Sequence, residues 1–397
     1  MHSICFLSTC QFNEFAGGLD RVCCLLSREF IRRGYSIVYV YGNPSVLGRP
    51  AEGCEGEGQY QFPYTIWDDR NIAFFSEVVA KHNVDIVIDA AFIARYHDVA
   101  YQAKQKTPFK LITTYHGDPL CDLKEIRDKV DCLSLRHIGF NLFVNKIRSC
   151  LKYPISYYLR LRSLKSRMSK MVGESDYYVV LCEDYANIVR KITRTSRPDH
   201  IVAISNPIDL GKIEKSSVCK RNKVLFVGRL NEQKRVDRLL RIWQRVEQKL
   251  NGWDLVIVGN GDARGEYEEY AQRLHLKTVR FVGAVNSSEE MIHSKIVTMV
   301  SSHEGFGMTL VEGMAVGTIP MAFDSYEALR DIIDDGVNGY RIKPWKEADF
   351  ANQIVELAND SSLWNRMSLN AMEKVKNFDV KNIVDKWENL FNVVISK

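Results

Sequence analysis

In each half of the chain, short aliphatic and β-branched runs alternate with longer segments whose apolar residues recur at helical spacing. The runs are 4–7, 35–41, 85–89, 110–114 and 177–181 in the first half, and 223–227, 254–258, 279–282, 296–300 and 318–323 in the second. Runs this short, with little polar alternation, are strands buried on both faces, as in a parallel sheet. Parallel neighbours need crossovers, and the intervening helices supply them as right-handed βαβ units. A clear example is the amphipathic segment 19–33, stopped by Gly34 ahead of the second strand. The pattern predicts an α/β protein of two Rossmann-like parallel-sheet domains, and 397 residues suffice for two ordinary cores. The join is expected at Ser205-Asn206-Pro207, giving domains 1–205 and 206–377 followed by a last helical run, 378–397. Ligands of such a pair of domains bind at the strands' carboxyl ends, in the cleft between the sheets.

Composition narrows the class. Hydrophobic content of 46% and charged content of 26% describe a globular protein, and no apolar run is long enough to span a bilayer. Residues 1–10 carry no basic region and read as a first strand instead of a signal peptide. The ten cysteines form no C-x-x-C pair, so reduced thiols in a cytoplasmic protein are expected, with neither a zinc site nor a disulfide framework. The net charge of +5 is unevenly spread: residues 132–173 contain no acidic residue but hold nine lysines and arginines. Phe140, Phe143, Tyr153, Tyr157, Tyr158 and Leu159 are interleaved with them. Such a basic amphipathic insertion suits an anionic membrane surface, where each cation contributes about 1 kcal/mol. A solvated helical face is the bland alternative, and nucleic acid is disfavoured.

The stretch richest in chemistry is Glu304-Gly305-Phe306-Gly307-Met308-Thr309-Leu310-Val311-Glu312. It follows the run 296–300, so Glu304 stands at a strand's carboxyl end; the apolar spacing after Gly307 is helical. Glycine lets backbone N–H groups approach a ligand, and a helix start carries partial positive charge suited to phosphate. Glu304 and Glu312, eight positions apart, then flank an anion site. That arrangement suits a diphosphate between two polyhydroxylated groups, as in a nucleotide sugar. A competing reading makes Thr309 and Glu312 a capping box and Glu304 a loop charge.

Arg229 and Lys234 occupy the loop leaving the first strand of the second half, well placed to close on a diphosphate. His116 follows the run 110–114 and is positioned for a sugar hydroxyl or phosphate. Gly17-Gly18, before the first helix, permits a phosphate approach but equally marks a turn. Gly259-Asn260-Gly261 has its third glycine at Gly265, one residue late for a dinucleotide fingerprint. There is no Asp-x-Asp pair, so no metal and no cofactor is expected.

Together, Gly17-Gly18, the segment Phe226 to Lys234, Val258-Gly259-Asn260-Gly261 and Glu304-x7-Glu312 resemble the retaining glycosyltransferases of family 4, of GT-B fold. Ser205-Asn206-Pro207-Ile208-Asp209 looks like an altered form of that family's hinge. The resemblance implies that Arg229 and Lys234 bind the donor diphosphate, Glu304 approaches the sugar, and Glu312 meets the ribose. The backbone of Phe306, Gly307 and Met308 would hold sugar and phosphates, Gly17 and Gly18 would cover the phosphates, and His116 would lie near the sugar. It further implies a last helix crossing back to the first domain, a UDP-sugar donor in preference to GDP-mannose, and a glycolipid, lipopolysaccharide or polysaccharide-precursor acceptor. A sugar-nucleotide epimerase and a catalytically silent nucleotide-sugar-binding subunit are the alternatives.

Overall fold

The computed structural model describes residues 2–14, 17–43, 54, 56–91, 93–132, 140–212 and 219–396, with side chains described outside 127–152 and 212. The chain forms two compact units. One comprises Met1–Pro119, Leu161–Asp209 and Phe378–Lys397; the other comprises Leu120–Arg160 and Leu210–Asn377.

The first unit holds strands β1 (Ser3–Cys10), β2 (Ser36–Asn43), β3 (Gly58–Gln61), β4 (Ile86–Asp89), β5 (Lys110–Tyr115), β6 (Tyr177–Val180) and β7 (Ile201–Ala203). They build one parallel sheet in the order β3-β2-β1-β4-β5-β6-β7. β4 and β6 are buried along their whole length and β1 over its first six residues, as their apolar runs require. The second unit holds β8 (Arg221–Val227), β9 (Asp254–Val258), β10 (Val279–Gly283), β11 (Ser294–Met299), β12 (Ile319–Phe323) and β13 (Tyr340–Ile342). Its parallel sheet runs β10-β9-β8-β11-β12-β13. The chain winds one way from β8 to β10 and the other way from β11 to β13. Thus β8 and β11 are neighbours whose carboxyl-end loops diverge, the switch point at which open α/β sheets bind ligands. Trp243, Leu239, Ile257, Phe323 and Phe350 fill the core around this sheet.

The C-terminal helix Val380–Ile395 belongs to the first unit, as expected for 378–397. It packs on the helix Gly18–Arg32 through Phe30 and Phe391, whose rings lie 5.4 Å apart. Arg33, just past that helix, pairs with Asp385 at 2.6 Å and Glu388 at 2.5 Å. Where the chain leaves the unit and returns to it, Ile208 N–H donates to the Phe378 carbonyl and Val380 N–H to the Ile208 carbonyl, each at 2.8 Å.

The structure corrects the sequence reading in three places. Strands β3, β7 and β13 were not expected; they are three or four residues long and form sheet edges or near-edges, where burial leaves little apolar signature. The expected domain 1–205 loses Leu120–Arg160 to the second unit, because the helix Cys121–Cys132 packs on the turn Glu232–Lys234. Lys124 holds it there, donating to the Ser325 carbonyl at 3.1 Å. The thiols are not all reduced: Cys24, in the first helix, is joined to Cys54 by a disulfide. These two cysteines are thirty residues apart and follow no motif, so only the fold brings them together.

The loop after β9 lies directly beneath the loop after β8. Gly228 N–H donates to the Val258 carbonyl at 3.1 Å and Leu230 N–H to the Asn260 carbonyl at 2.9 Å. A Cβ on Gly259, at φ +134°, would stand 1.9 Å from the Gly228 carbonyl oxygen, and one on Gly261 2.3 Å from that of Leu230. These glycines permit loop-on-loop contact; they are not a dinucleotide fingerprint. Gly259→Ala is therefore expected to cost on the order of 3 kcal/mol. Gly252→Ala, at φ +72° with open space around it, should cost only about 1 kcal/mol. Calorimetric unfolding of the two variants measures the difference, and equal losses would refute this packing argument.

Candidate active site

The candidate residues of the second unit lie on the loops that leave β8 and β11 and on the helix that follows β11. Parallel pairing puts Phe226 opposite Thr298, so the loops that follow these strands lie side by side. They are stitched together by Gln233: its carbonyl accepts from Ser302 N–H at 2.9 Å, and its amide donates to the His303 carbonyl at 2.9 Å. Sequence reasoning assigned Gln233 no part, and nothing but its place inside the Phe226 to Lys234 segment would have signalled one. Among the described residues no group of three or more His, Cys, Asp or Glu side chains is placed to hold a metal ion.

The two cations differ in their state. Arg229 is exposed and forms an ion pair with none of the described residues. Lys234 ends a short 3₁₀ turn capped by Asn231, whose side chain accepts from the Lys234 N–H at 3.2 Å. The lysine side chain crosses Gly228, where its Cε lies 3.5 Å from the position a Cβ would take. Its Nζ then meets Glu304 Oε1 at 2.5 Å, with the side chains only 19% and 12% exposed. Glu304 is thus not a stray loop charge. A pair this sheltered is screened far less than a surface bridge.

The helix Met308–Ala315 opens after Gly307, which adopts the left-handed conformation at φ 97°. A Cβ there would lie 2.4 Å from the Tyr326 hydroxyl, so the turn requires glycine. The N-cap is Gly307 and contributes no side-chain bond, while Thr309 lies inside the first turn. The capping-box reading of Thr309 and Glu312 therefore fails. Glu312 is half-buried one turn into the helix, and Phe306 is buried beneath the loop. Of the first N–H groups of this helix, that of Leu310 donates to the Gly307 carbonyl at 2.9 Å, while a helix start of this kind carries partial positive charge suited to an anion. Burial, together with the charges of Glu304 and Asp324, keeps the Tyr326 hydroxyl protonated well past its usual range. Tyr326 was missed because it arrives from the loop after β12, far away in sequence.

In the first unit, Gly17 is extended and Gly18 begins the helix Gly18–Arg32 after the loop leaving β1. His116 follows β5 and makes a 2.9 Å hydrogen bond from Nδ1 to the Asn206 side-chain oxygen. Burial pushes its pKa down to about 4, against a smaller opposing effect of Asn206, so the ring is neutral at pH 7. With Nδ1–H donating to Asn206, Nε2 is left as an acceptor, a role that suits a sugar hydroxyl. The unfolded chain takes up this proton near pH 6.5 and the folded one only near pH 4, so acid favours unfolding across that window. Stability should fall as pH drops from about 6.5 to about 4, and His116→Gln should flatten that slope; denaturant titrations at several pH values measure it. An unchanged slope would show that His116 is not neutral in the fold.

Residues 16–212 match the family model for Glycosyltransferase Family 4, and residues 212–374 that for Glycosyl transferases group 1. The amylovoran biosynthesis glycosyltransferase AmsD of Erwinia amylovora is 31% identical over 175 residues, covering 44% of this chain and 49% of that protein. A Campylobacter jejuni α-1,4-N-acetyl-D-galactosaminyltransferase, named for an undecaprenol diphosphate-linked glycan, is 26% identical over 208 residues, covering 52% and 56%. The chain spans about half the length of these two curated relatives. Anabaena HepE, crystallised with UDP and glucose, superposes with a TM-score of 0.74 at 16% identity, covering 99% of this chain and all of that one. That likeness concerns the fold. With the two family models matched in succession over residues 16–374, and the fold shared with that structure, the protein is a glycosyltransferase of family 4 with the GT-B fold.

Proposed function

We propose that the protein is a retaining, metal-independent hexosyltransferase that moves a sugar from a UDP-sugar, in preference to GDP-mannose, to a glycolipid, lipopolysaccharide or polysaccharide-precursor acceptor. What supports this reading is that Arg229 and Lys234 lie on the loop leaving β8, Lys234 is in contact with Glu304 on the loop leaving the neighbouring β11, and the helix Met308–Ala315 starts just beyond. Two cations and a helix start supply the positive charge that a metal provides in other sugar-nucleotide sites. Arg229 and Lys234 bind the diphosphate and stabilise it as it leaves, Glu304 addresses the sugar, and Glu312 the ribose. Phe306, Gly307 and Met308 offer backbone groups, and Gly17 and Gly18 cover the phosphates. The UDP and glucose in the HepE crystals support the donor class. The undecaprenol-linked and amylovoran relatives support the acceptor class.

In the proposed step the bond from the anomeric carbon to the phosphate oxygen breaks, and the acceptor oxygen forms its bond on the same face. The acceptor proton passes to the departing phosphate. The protein's share is then positioning and electrostatic stabilisation of the leaving group. Glu304→Ala and Lys234→Ala are each expected to lower transfer roughly 100-fold or more without loss of fold. Turnover of radiolabelled UDP-sugars, with circular dichroism as the control, measures this; near-wild-type turnover in both variants would sink the assignment. An epimerase would convert the sugar nucleotide without any acceptor.

We further infer a peripheral site on the cytoplasmic face of an anionic membrane, through the basic stretch 132–173. Residues 133–139 of that stretch lie outside the described residues; Phe140–Glu174 is one long helix. Ile155, Tyr158 and Leu159 are 66%, 62% and 59% exposed, with Arg160, Arg162 and Lys165 also exposed beside them. That is the surface of an interfacial helix, apolar and cationic at once. No helix among the described residues is long and apolar enough to cross a membrane. The Cys24–Cys54 bond points the other way on compartment, since disulfides persist where conditions are oxidising. Ile155→Ser/Leu159→Ser is expected to weaken co-sedimentation with phosphatidylglycerol vesicles several-fold, while neutral vesicles bind neither form. Equal sedimentation with both vesicle types would count against a membrane role.

A further inference from the structure

Lys234 and Glu304 were read from the sequence as two separate ligand contacts, one for phosphate and one for sugar. The structure instead joins them to each other, Nζ to Oε1, at 2.5 Å in a sheltered loop pair. Arg229, by contrast, is exposed and forms no ion pair with a described residue. A carboxylate on the ammonium supplies the same charge and the same acceptor oxygens that a phosphate would. We propose that Glu304 is an internal counter-ion of the diphosphate site: it occupies Lys234 when the site is empty, is displaced by the donor's phosphates, and reclaims Lys234 as the nucleoside diphosphate departs.

This proposal rests on the reading of the site as a nucleotide-sugar site and adds how that site releases product. Arg229, already exposed, makes the first contact with the diphosphate. Transfer of Lys234 from Glu304 to phosphate releases the Oε1 that the ammonium held, so the lysine reaches the phosphates in the same step that presents this oxygen to the sugar hydroxyls. Once the sugar has left, the pull of Glu304 on Lys234 weakens the hold on the nucleotide. Product affinity is therefore set lower than the cations by themselves would make it. Glu304 opposes UDP and favours the UDP-sugar. No covalent change is involved, only the exchange of one charge-assisted hydrogen bond for another.

Calorimetric binding of UDP to the full chain tests it, in the wild type, Glu304→Gln, Lys234→Met and the double variant. Glutamine is close in shape and removes the charge. Glu304→Gln is expected to bind UDP roughly three- to tenfold more tightly than wild type, the yield of a partly sheltered ion pair, while its transfer rate falls. In the Lys234→Met background the same change should bring no gain, because there is no ammonium to release. Three results would overturn the proposal. Unchanged or weaker UDP binding by Glu304→Gln would show that the pair does not compete with phosphate. A gain that persists without Lys234 would show simple repulsion between the carboxylate and the ligand. A wild type that binds neither UDP nor GDP would remove the nucleotide site itself, and the inference with it. Circular dichroism of each variant confirms that it is folded.

Discussion

Everything at the candidate site depends on the parallel pairing of β8 with β11. Lys234 and Glu304 are seventy residues apart, and no local interaction would bring them together. The strands do so because each is a short apolar run that must be buried on both faces, with a neighbour on each side. Once Phe226 stands opposite Thr298, the loops that follow emerge at the same level, and Gln233 fixes their spacing by bonding the Ser302 N–H and the His303 carbonyl. Because β9 departs on one flank and β12 on the other, no crossover helix covers this point. The core therefore creates the opening, and polar residues in the two loops furnish it.

Support for those loops comes from places that carry no chemistry of their own. The glycines after β9 allow one backbone to lie on another, which keeps the Arg229 loop from sinking toward the sheet. Gly307 does the same on the other side, since the Tyr326 hydroxyl fills the space a side chain would need. A phosphate-sized site needs backbone N–H groups at a fixed distance, and small residues packed on rigid neighbours hold that distance better than flexible side chains would.

Much of this was legible in the sequence, for a physical reason. Long βαβ units write their burial into strand composition, so ten of the thirteen strands follow from apolar runs, whereas the order of the strands within each sheet does not. Glu304, Arg229 and Lys234 stand out in the sequence because they fall in loops that follow strands, where packing does not call for charge. What escaped notice depends on contacts distant in sequence. The edge strands β3 and β7 are too short to show a pattern, and Cys24 meets Cys54 only after β2 has paired with β1. The helix Cys121–Cys132 reads as part of the first half, yet it packs on the turn Glu232–Lys234. Spacing could suggest that Glu312 caps a helix; it could not show that Gly307, and not Thr309, occupies the cap.

The ion pair also bears on why a carboxylate is tolerated in a site built for anions. By itself, Glu304 would repel a diphosphate and suffer desolvation in a loop where it is only 12% exposed. By itself, Lys234 would be an unpaired cation at 19% exposure, with its charge poorly solvated. Each makes the other's burial tolerable. The cost falls on ligand binding, which must first exchange one partner for another. An enzyme that turns over gains from that cost, since a site holding its diphosphate product with two unopposed cations and a helix start would release it slowly. On the counter-ion proposal, the pair that makes both charges tolerable in the loops also limits the grip on product.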